Sequence, residues 1–242
     1  MRIKLILLTM FMFSSIAIAS TFEFDIGGSF GTSVEFSYTD GYYVPGSSLN
    51  GDKIDSGFTA NALLSIGRND TILNNTLTSI SSLFETGYNF YIRTRTADIS
   101  DEQYNNSYMY NSIILGYLFR LNFRNTISLG IGAGIFVPLY SESSKSEYAL
   151  GKYGDITEFN HDKIAFMYKL PFMPYIKLNV SKYFYISEKW AFKIGGNIIY
   201  NFGMELDNVR LYGDGYYHVY EKYKFSSLSF ELLAAISFGR PK

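Results

Sequence analysis

Hydrophobic and polar residues alternate with a period of two along most of the chain. From Phe22 to Tyr38 the even positions carry mainly apolar and aromatic side chains, whereas the odd positions carry Glu, Asp, Ser, Thr and Gly. Successive side chains of a β-strand point to opposite faces of the sheet. The pattern therefore predicts one long strand with an apolar face and a polar face.

The same alternation recurs along the chain and predicts eight strands in all. After the first strand, the segments are 58–66, 80–95, 107–120, 127–137, 164–180, 190–204 and 228–238. Segment 107–120 is apolar at both parities, so the sequence leaves its facing open. The other seven apolar faces carry no Asp, Glu, Lys or Arg. Because a lipid-facing charge at mid-bilayer costs about 2–4 kcal/mol, these faces are predicted to contact lipid.

The connections between these segments alternate in length. Short turns are predicted near 67–71, 121–124 and 181–187, and long loops near 40–55, 97–106, 139–162 and 205–222. Bacterial outer-membrane barrels have short periplasmic turns and longer extracellular loops. We therefore predict an all-β, transmembrane, antiparallel up-and-down barrel of eight strands. Both termini would be periplasmic, and closure of the first strand on the last would leave no unpaired edge.

The first nineteen residues have the layout of a secretory signal. Arg2 and Lys4 precede the apolar run 5–13, and Ala17 and Ala19 form a small-x-small cleavage site. The alternative, a transmembrane helix, would need roughly 20 apolar residues. The sequence thus predicts a cleaved signal peptide over residues 1–19 and one barrel domain over 20–242. The expected location is the outer membrane of a diderm bacterium.

Composition excludes several classes of protein. Aromatic residues make up 18% of the 242 residues, with 22 Tyr and 21 Phe, and these residues favour strands. The chain has no Cys, so a lipoprotein anchor and disulfides are both excluded. A formal charge of −1 gives no basic footprint for nucleic acid. We expect a monomer in outer-membrane lipid, without a cofactor or a metal.

Together, the signal peptide, the eight strands and a last strand ending in Phe238 resemble the small outer-membrane barrels of the OmpA transmembrane domain, OmpX and OmpW type. In that family the final strand usually ends the chain on Phe, which the insertion machinery reads. Here residues 239–242 follow that Phe. The resemblance covers residues 20–242 as architecture, and it implies outer-membrane lipid as the surroundings.

The polar faces are predicted to fill the barrel interior with charges. An eight-stranded barrel is just wide enough inside to be filled by side chains. Inward glycines would make room for long side chains, and each inward charge should have a partner, with Arg93 beside Glu35 or Glu85. The predicted network comprises Glu23, Asp25, Glu35, Glu85, Arg93, Arg95, Lys169, Lys177, Lys193 and Glu231. The predicted inward glycines are Gly27, Gly31, Gly87, Gly130, Gly132 and Gly134.

Candidate chemistry is confined to the loops. His161 and His218 could act as bases beside loop aspartates, which would make the protein a rim hydrolase. The simpler interpretation is that both are solvated loop residues, and no catalytic residue is assigned. Acidic residues near 50–55 and 98–102 could bind calcium, but they lack the glycine-centred spacing of a calcium loop.

Three functions therefore stay open. The first is a non-enzymatic barrel whose exposed loops serve surface structure or adhesion to an extracellular or host partner. Its candidate contact residues are Tyr216, Tyr217, His218 and Tyr220, because exposed Tyr is common in binding surfaces. The alternatives are a narrow transporter or pore for ions or small apolar molecules, and the rim hydrolase. Fold alone does not choose among them.

Processing between Ala19 and Ser20 is the first testable expectation, because the peptidase reads the small residues Ala17 and Ala19. The intact mass of protein extracted from outer-membrane fractions should match a chain that starts at Ser20. A mature species that retains Met1 would contradict export by this signal.

Overall fold

The computed structural model describes residues 20–44, 47–48, 51–72, 76–99, 102–124, 126–145, 157–161, 168–213 and 216–239. The predicted signal peptide lies outside this part of the chain. The described strands are β1 Ser20–Val44, β2 Ser47–Ser48, β3 Gly51–Thr71, β4 Leu77–Ile99, β5 Glu102–Phe123, β6 Ile127–Lys145, β7 Thr157–Asn160, β8 Met173–Tyr185, β9 Trp190–Asn201, β10 Glu205–Gly213 and β11 Tyr216–Phe238.

Eight long strands form one closed antiparallel barrel. The strand order is β1-β3-β4-β5-β6-β8-β9-β11, and β11 pairs with β1 from Phe24 opposite Phe238 to Val44 opposite Tyr217. The predicted fold is confirmed, and so is the resemblance in architecture to small eight-stranded outer-membrane barrels. The start of β1 and the finish of β11 lie at the same end of the barrel, and we call this the terminal end. We call the opposite end of the barrel the far end.

Strand pairing at the far end continues well into the regions predicted as long loops. β1 runs to Val44, and β4 and β5 pair as far as Ile99 opposite Glu102. The short strands β2, β7 and β10 pair with β1, β6 and β11 in the same region. The predicted loop bounds were therefore wrong. These segments contain many Tyr, together with Val44, Val209 and Val219, and both residue types favour strands wherever a neighbouring strand is available.

The first predicted turn, 67–71, was also wrong, because β3 continues through Thr71. Asn69 is fully buried and its amide donates hydrogen bonds to Glu23 (3.0 Å) and Ser81 (2.9 Å). Asn is common in turns, but these interior hydrogen bonds stabilise Asn69 within a strand. The connection to β4 falls after Thr71 instead.

The sixth predicted segment is shorter than expected. Residues 164 and 166 lie outside the described part of the chain, residues 169–172 form bends, and β8 begins at Met173. Pro171 lacks the backbone N–H that a ladder requires, which explains the late start. The seventh segment also ends early. Gly203 turns the chain with a φ of 64°, and Met204, predicted on the lipid face, is buried inside.

The two faces of the barrel wall differ sharply in polarity. Large apolar side chains such as Phe30, Ile131 and Leu232 are exposed on the outside, whereas the inside holds Ser, Asn and charged residues. Segment 107–120 follows the same rule, with Ile113, Leu115 and Tyr117 outside. We call the exposed outer surface the apolar belt. Exposing so continuous an apolar surface to water is unfavourable, whereas a surface in contact with the hydrocarbon core of a membrane has to be apolar.

No helix within the described residues is long and apolar enough to cross a membrane.

Leu232→Lys should lower the free energy of unfolding by about 2–4 kcal/mol, because Leu232 lies on the outer face of β11, opposite Gly196 at the middle of β9, and is 65% exposed. Ile186→Lys is the matched control. Ile186 is 74% exposed in the turn after β8, where a charge reaches the interface and costs about 0–1 kcal/mol. Urea unfolding in lipid vesicles measures both, and equal losses would contradict the assigned outer face.

Candidate functional site

The terminal half of the barrel interior contains an ionic cluster of Glu23, Asp25, Arg120 and Lys193. The side chain of Arg120 has no solvent exposure, and its two terminal nitrogens bind Glu23 and, at 3.0 Å, Asp25. Lys193 forms an ion pair with the same Asp25 oxygen. Strands β1, β5 and β9 are thereby joined across the interior.

Neutral side chains add hydrogen bonds to the Glu23 side of this cluster. Ser81 and Asn69 both donate hydrogen bonds to the second oxygen of Glu23. Asn122 donates to Ser79 (3.0 Å) and to Ser81 (2.7 Å), which extends the network to β4. Buried charges are stable only when hydrogen bonds satisfy their remaining atoms.

Arg120 was missed in the sequence analysis, although it is the central cation of the cluster. Its segment, 107–120, is apolar at both parities, so the alternation did not identify an inward, polar face that would include Arg120. One signal was available: Arg120 shares parity with Asn122 and alternates with Tyr117 and Phe119.

The middle of the barrel holds a second ion pair, between Lys177 and Glu85. Ser65 adds a hydrogen bond of 3.5 Å to Glu85. Gly132 lies directly opposite Lys177 in the strand register, and a Cβ there would lie 3.3 Å from Lys177 Cε. This contact is an example of the predicted arrangement, in which an inward glycine leaves space for a lysine side chain.

Glu231 is buried at the same level and has neutral partners. It accepts hydrogen bonds from Ser29 (2.6 Å), Asn61 (3.0 Å) and Asn197 (3.2 Å). Among the described residues it forms no ion pair, so the expectation of a charged partner for every inward charge was wrong here. Three donors directed at one carboxylate take the place of a cation.

Arg93 lies among aromatic rings that were not predicted. Its guanidinium lies 4.0 Å from the ring centre of Phe225 and 4.6 Å from that of Tyr108, and it donates a 3.3 Å hydrogen bond to Tyr110. Glu85, one of its two predicted partners, pairs with Lys177 instead. Glu35, the other, interacts electrostatically with Arg93 and accepts a 2.6 Å hydrogen bond from Ser33. Arg93 is thus held by aromatic faces through cation–π contacts.

The far half of the interior is occupied by an aromatic cluster. Its members come from β4, β5, β6, β8, β9 and β11, together with the irregular residue that precedes β10. Phe136 stacks on Tyr175 with ring centres 4.6 Å apart, and Tyr175 fits against Gly116, where a Cβ would lie 2.2 Å from its hydroxyl. The cluster comprises Tyr91, Tyr110, Ile114, Phe136, Met173, Tyr175, Ile199, Met204 and Phe225.

The two cavities described between these layers are small. One is lined by Lys177, Asn179 and Asn197 and the other reaches Phe136 and Tyr175, and each has a volume of about 10 Å³. That is about the volume needed for one water molecule. Among the described residues, side chains thus occupy most of the space around these two cavities.

Two predicted network residues, Lys169 and Arg95, remain. Lys169 is 48% exposed and pairs with Glu205 at 2.8 Å near the far end, so its predicted inward position was wrong. Because residues 169–172 form bends, the alternation that directs side chains of β8 inward does not extend to Lys169. The side chain of Arg95 lies outside the described residues.

The tyrosine-rich contact candidates are on a strand rather than in a loop. Tyr216, Tyr217, His218 and Tyr220 belong to β11 and pair with β10 and β1, although their side chains lie outside the described residues. His161 Nδ1 lies 2.8 Å from the carbonyl oxygen of Pro138. Within the described residues, no group of three or more His, Cys, Asp or Glu side chains is placed to hold a metal.

No protein-family model matches the chain, and no curated protein matches it by sequence. Solved structures do match. Neisserial surface protein A (NspA) aligns with a TM-score of 0.39 and 11% identity, covering 92% of this chain and 99% of that one. Ail of Yersinia pestis, in complex with the heparin analogue sucrose octasulfate, gives 0.33 and 14%, covering 89% and 99%. The outer membrane protease OmpT of Escherichia coli gives 0.43 and 8%, covering 93% and 99%.

Lys177→Met should destabilise the protein by about 3–5 kcal/mol, because Lys177 is buried and its loss leaves the Glu85 carboxylate without its cation. Adding Glu85→Gln to the same chain should restore part of that loss. Lys169→Met is the control and should cost at most about 1 kcal/mol, since its pair with Glu205 is exposed. Unfolding in urea with lipid vesicles measures all three. A loss for Lys177→Met as small as the control would contradict an ionised pair.

Proposed function

We propose that the protein is a non-enzymatic outer-membrane barrel that presents strand-built hairpins at the cell surface, for surface structure or adhesion. The observation that carries the proposal is the length of the strands at the far end. β1 has 25 residues and, at about 3.4 Å per residue and a tilt near 45°, rises roughly 60 Å, against an apolar band of about 25 Å. The far-end hairpins therefore extend well beyond the lipid.

The backbone register gathers tyrosines in one of these extensions. At the far end β11 pairs with β1 on one side and with β10 on the other, so that Tyr217 lies opposite both Val44 and Tyr212. Binding surfaces favour Tyr because its large ring makes contacts at a low entropic cost. The same small sheet contains Tyr42, Tyr43, Tyr212, Tyr216, Tyr217 and Tyr220.

The filled interior supports a role at the surface rather than in the lumen. A pore needs a continuous aqueous path, whereas the two described cavities each have room for about one water. The ionic cluster, the Lys177–Glu85 pair and the aromatic cluster follow one another along the barrel axis.

Adherence of bacteria tests the proposal. Cells expressing the protein should adhere to immobilised matrix proteins or cultured host cells more than cells without it. Replacing Tyr216, Tyr217, His218 and Tyr220 together by Ser should abolish this increase in adherence, because the replacement removes the candidate contact side chains from the far-end sheet.

The matched control replaces exposed polar residues at the terminal end, Ser187 and Glu188, by Ala. Both variants should keep the gel shift between unheated and boiled samples that marks a folded barrel. Adherence by the Ser variant equal to that of the parent would contradict a contact role for this sheet.

A second candidate, transport of small apolar molecules, is favoured by a break in the described pairing on one side of β6. Among the described residues, β6 pairs with β8 as far as Phe136 and with β7 from Tyr140, so Pro138 has no partner in either of these two ladders. Phe136 and Met173, which border this break, belong to the aromatic cluster. Faster uptake of a small hydrocarbon by expressing cells, slowed by Met173→Trp, would put this candidate first.

A further inference from the structure

Three cations at the terminal end have no acidic partner within the described residues. They are Arg124 in the turn after β5, Lys182 on β8, and Lys189 in the turn after β8, and all three side chains are exposed. The nearby Arg68, by contrast, pairs with Asp70. We propose that Arg124, Lys182 and Lys189 form a cationic patch that binds the phosphate groups of phospholipids in the adjoining leaflet. The proposal rests on the proposed outer-membrane location.

Lys182 is the unusual member, because its Cα belongs to the apolar belt. In the strand register it lies between Ile127 and Ile194, which are 40% and 47% exposed on the outer face. Its ammonium lies 5.5 Å from the ring centre of Phe184, two residues closer to the terminal end. The side chain therefore runs along the wall toward the interface. Lysines whose Cα lies at the depth of the hydrocarbon commonly extend in this way, which places the ammonium group among the lipid head groups.

The backbone brings the other two cations close to this position. Tyr183 N donates a 2.8 Å hydrogen bond to Thr126 O, so the end of β8 runs beside the turn that contains Arg124. The carbonyl oxygen of Lys189 accepts a 3.0 Å hydrogen bond from Gly239 N, which fixes the next turn against the end of the barrel. The patch thus spans two neighbouring turns on one side of the wall.

Aromatic side chains lie at the same level and supply the rest of a lipid site. Trp190 is 45% exposed and its ring centre lies 4.9 Å from that of Phe238. Aromatic rings of this kind sit at the head-group level of membranes, and basic side chains beside them attract anionic head groups. The combination of an apolar wall with unpaired cations fits a phosphate that carries acyl chains, rather than free phosphate.

Native mass spectrometry of the folded protein in detergent, with added dioleoylphosphatidylglycerol, tests the patch. The parent should retain bound lipid, and the triple variant Arg124→Gln, Lys182→Gln, Lys189→Gln should retain several-fold less. Lys224→Gln is the matched control, because Lys224 is an exposed cation on β11 toward the far end. Dioleoylglycerol, which has no phosphate, should bind the parent and the triple variant equally.

Equal retention of phosphatidylglycerol by the parent and the triple variant would overturn the patch, as would an equal loss in Lys224→Gln. A loss confined to added lipid A would also overturn it, because that lipid belongs to the opposite leaflet. The gel shift on boiling is recorded for every variant. Its absence in the parent would count against the membrane barrel itself, whereas its presence with unchanged lipid retention would count against the patch alone.

Discussion

The buried pairing of Arg120 with Glu23 and Asp25 is the interaction on which the rest of the structure depends. A barrel surrounded by hydrocarbon cannot turn charges outward at the middle of its wall, so its strands can carry charges there only if the interior neutralises them. Arg120 meets both acids from across the barrel, and Lys193 compensates Asp25 from a third strand. Breaking such a pair leaves an uncompensated buried charge, which makes the arrangement specific as well as stable.

This constraint divides the interior into layers. The terminal half pairs its charges with one another and with amides, while the far half contains stacked rings around Arg93. Between them, Glu231 is held by Ser29, Asn61 and Asn197 without a cation among the described residues. The described cavities of the interior each hold about one water molecule, which is why the proposed contacts lie on the far-end hairpins and on the lipid-facing wall.

The alternation of residues was enough to predict the barrel, its closure and the outer face of seven strands. It could not predict Arg120, because a segment that is apolar at both parities gives no facing. It also misplaced Lys169, because parity assumes an unbroken strand and Pro171 breaks it. The aromatic contacts of Arg93 were not predicted, since the rings come from other strands and no local pattern joins them to Arg93.

Hairpin lengths were underestimated for a related reason. Tyr and polar residues at the far end are compatible with both loops and exposed strands, and the pairing that decides between them is with residues far away in the sequence. Tyr217, for example, is ordered by Val44 across the barrel closure.

Single-channel recording in a planar lipid bilayer tests the filled interior most directly. The refolded parent should show no steady conductance, because the ionic and aromatic layers block the axis. Arg93→Ala, which empties the space between Tyr108 and Phe225, should produce openings under the same voltage. Steady ion conductance by the parent, with Arg93→Ala changing only its selectivity, would contradict the account and make transport the primary function.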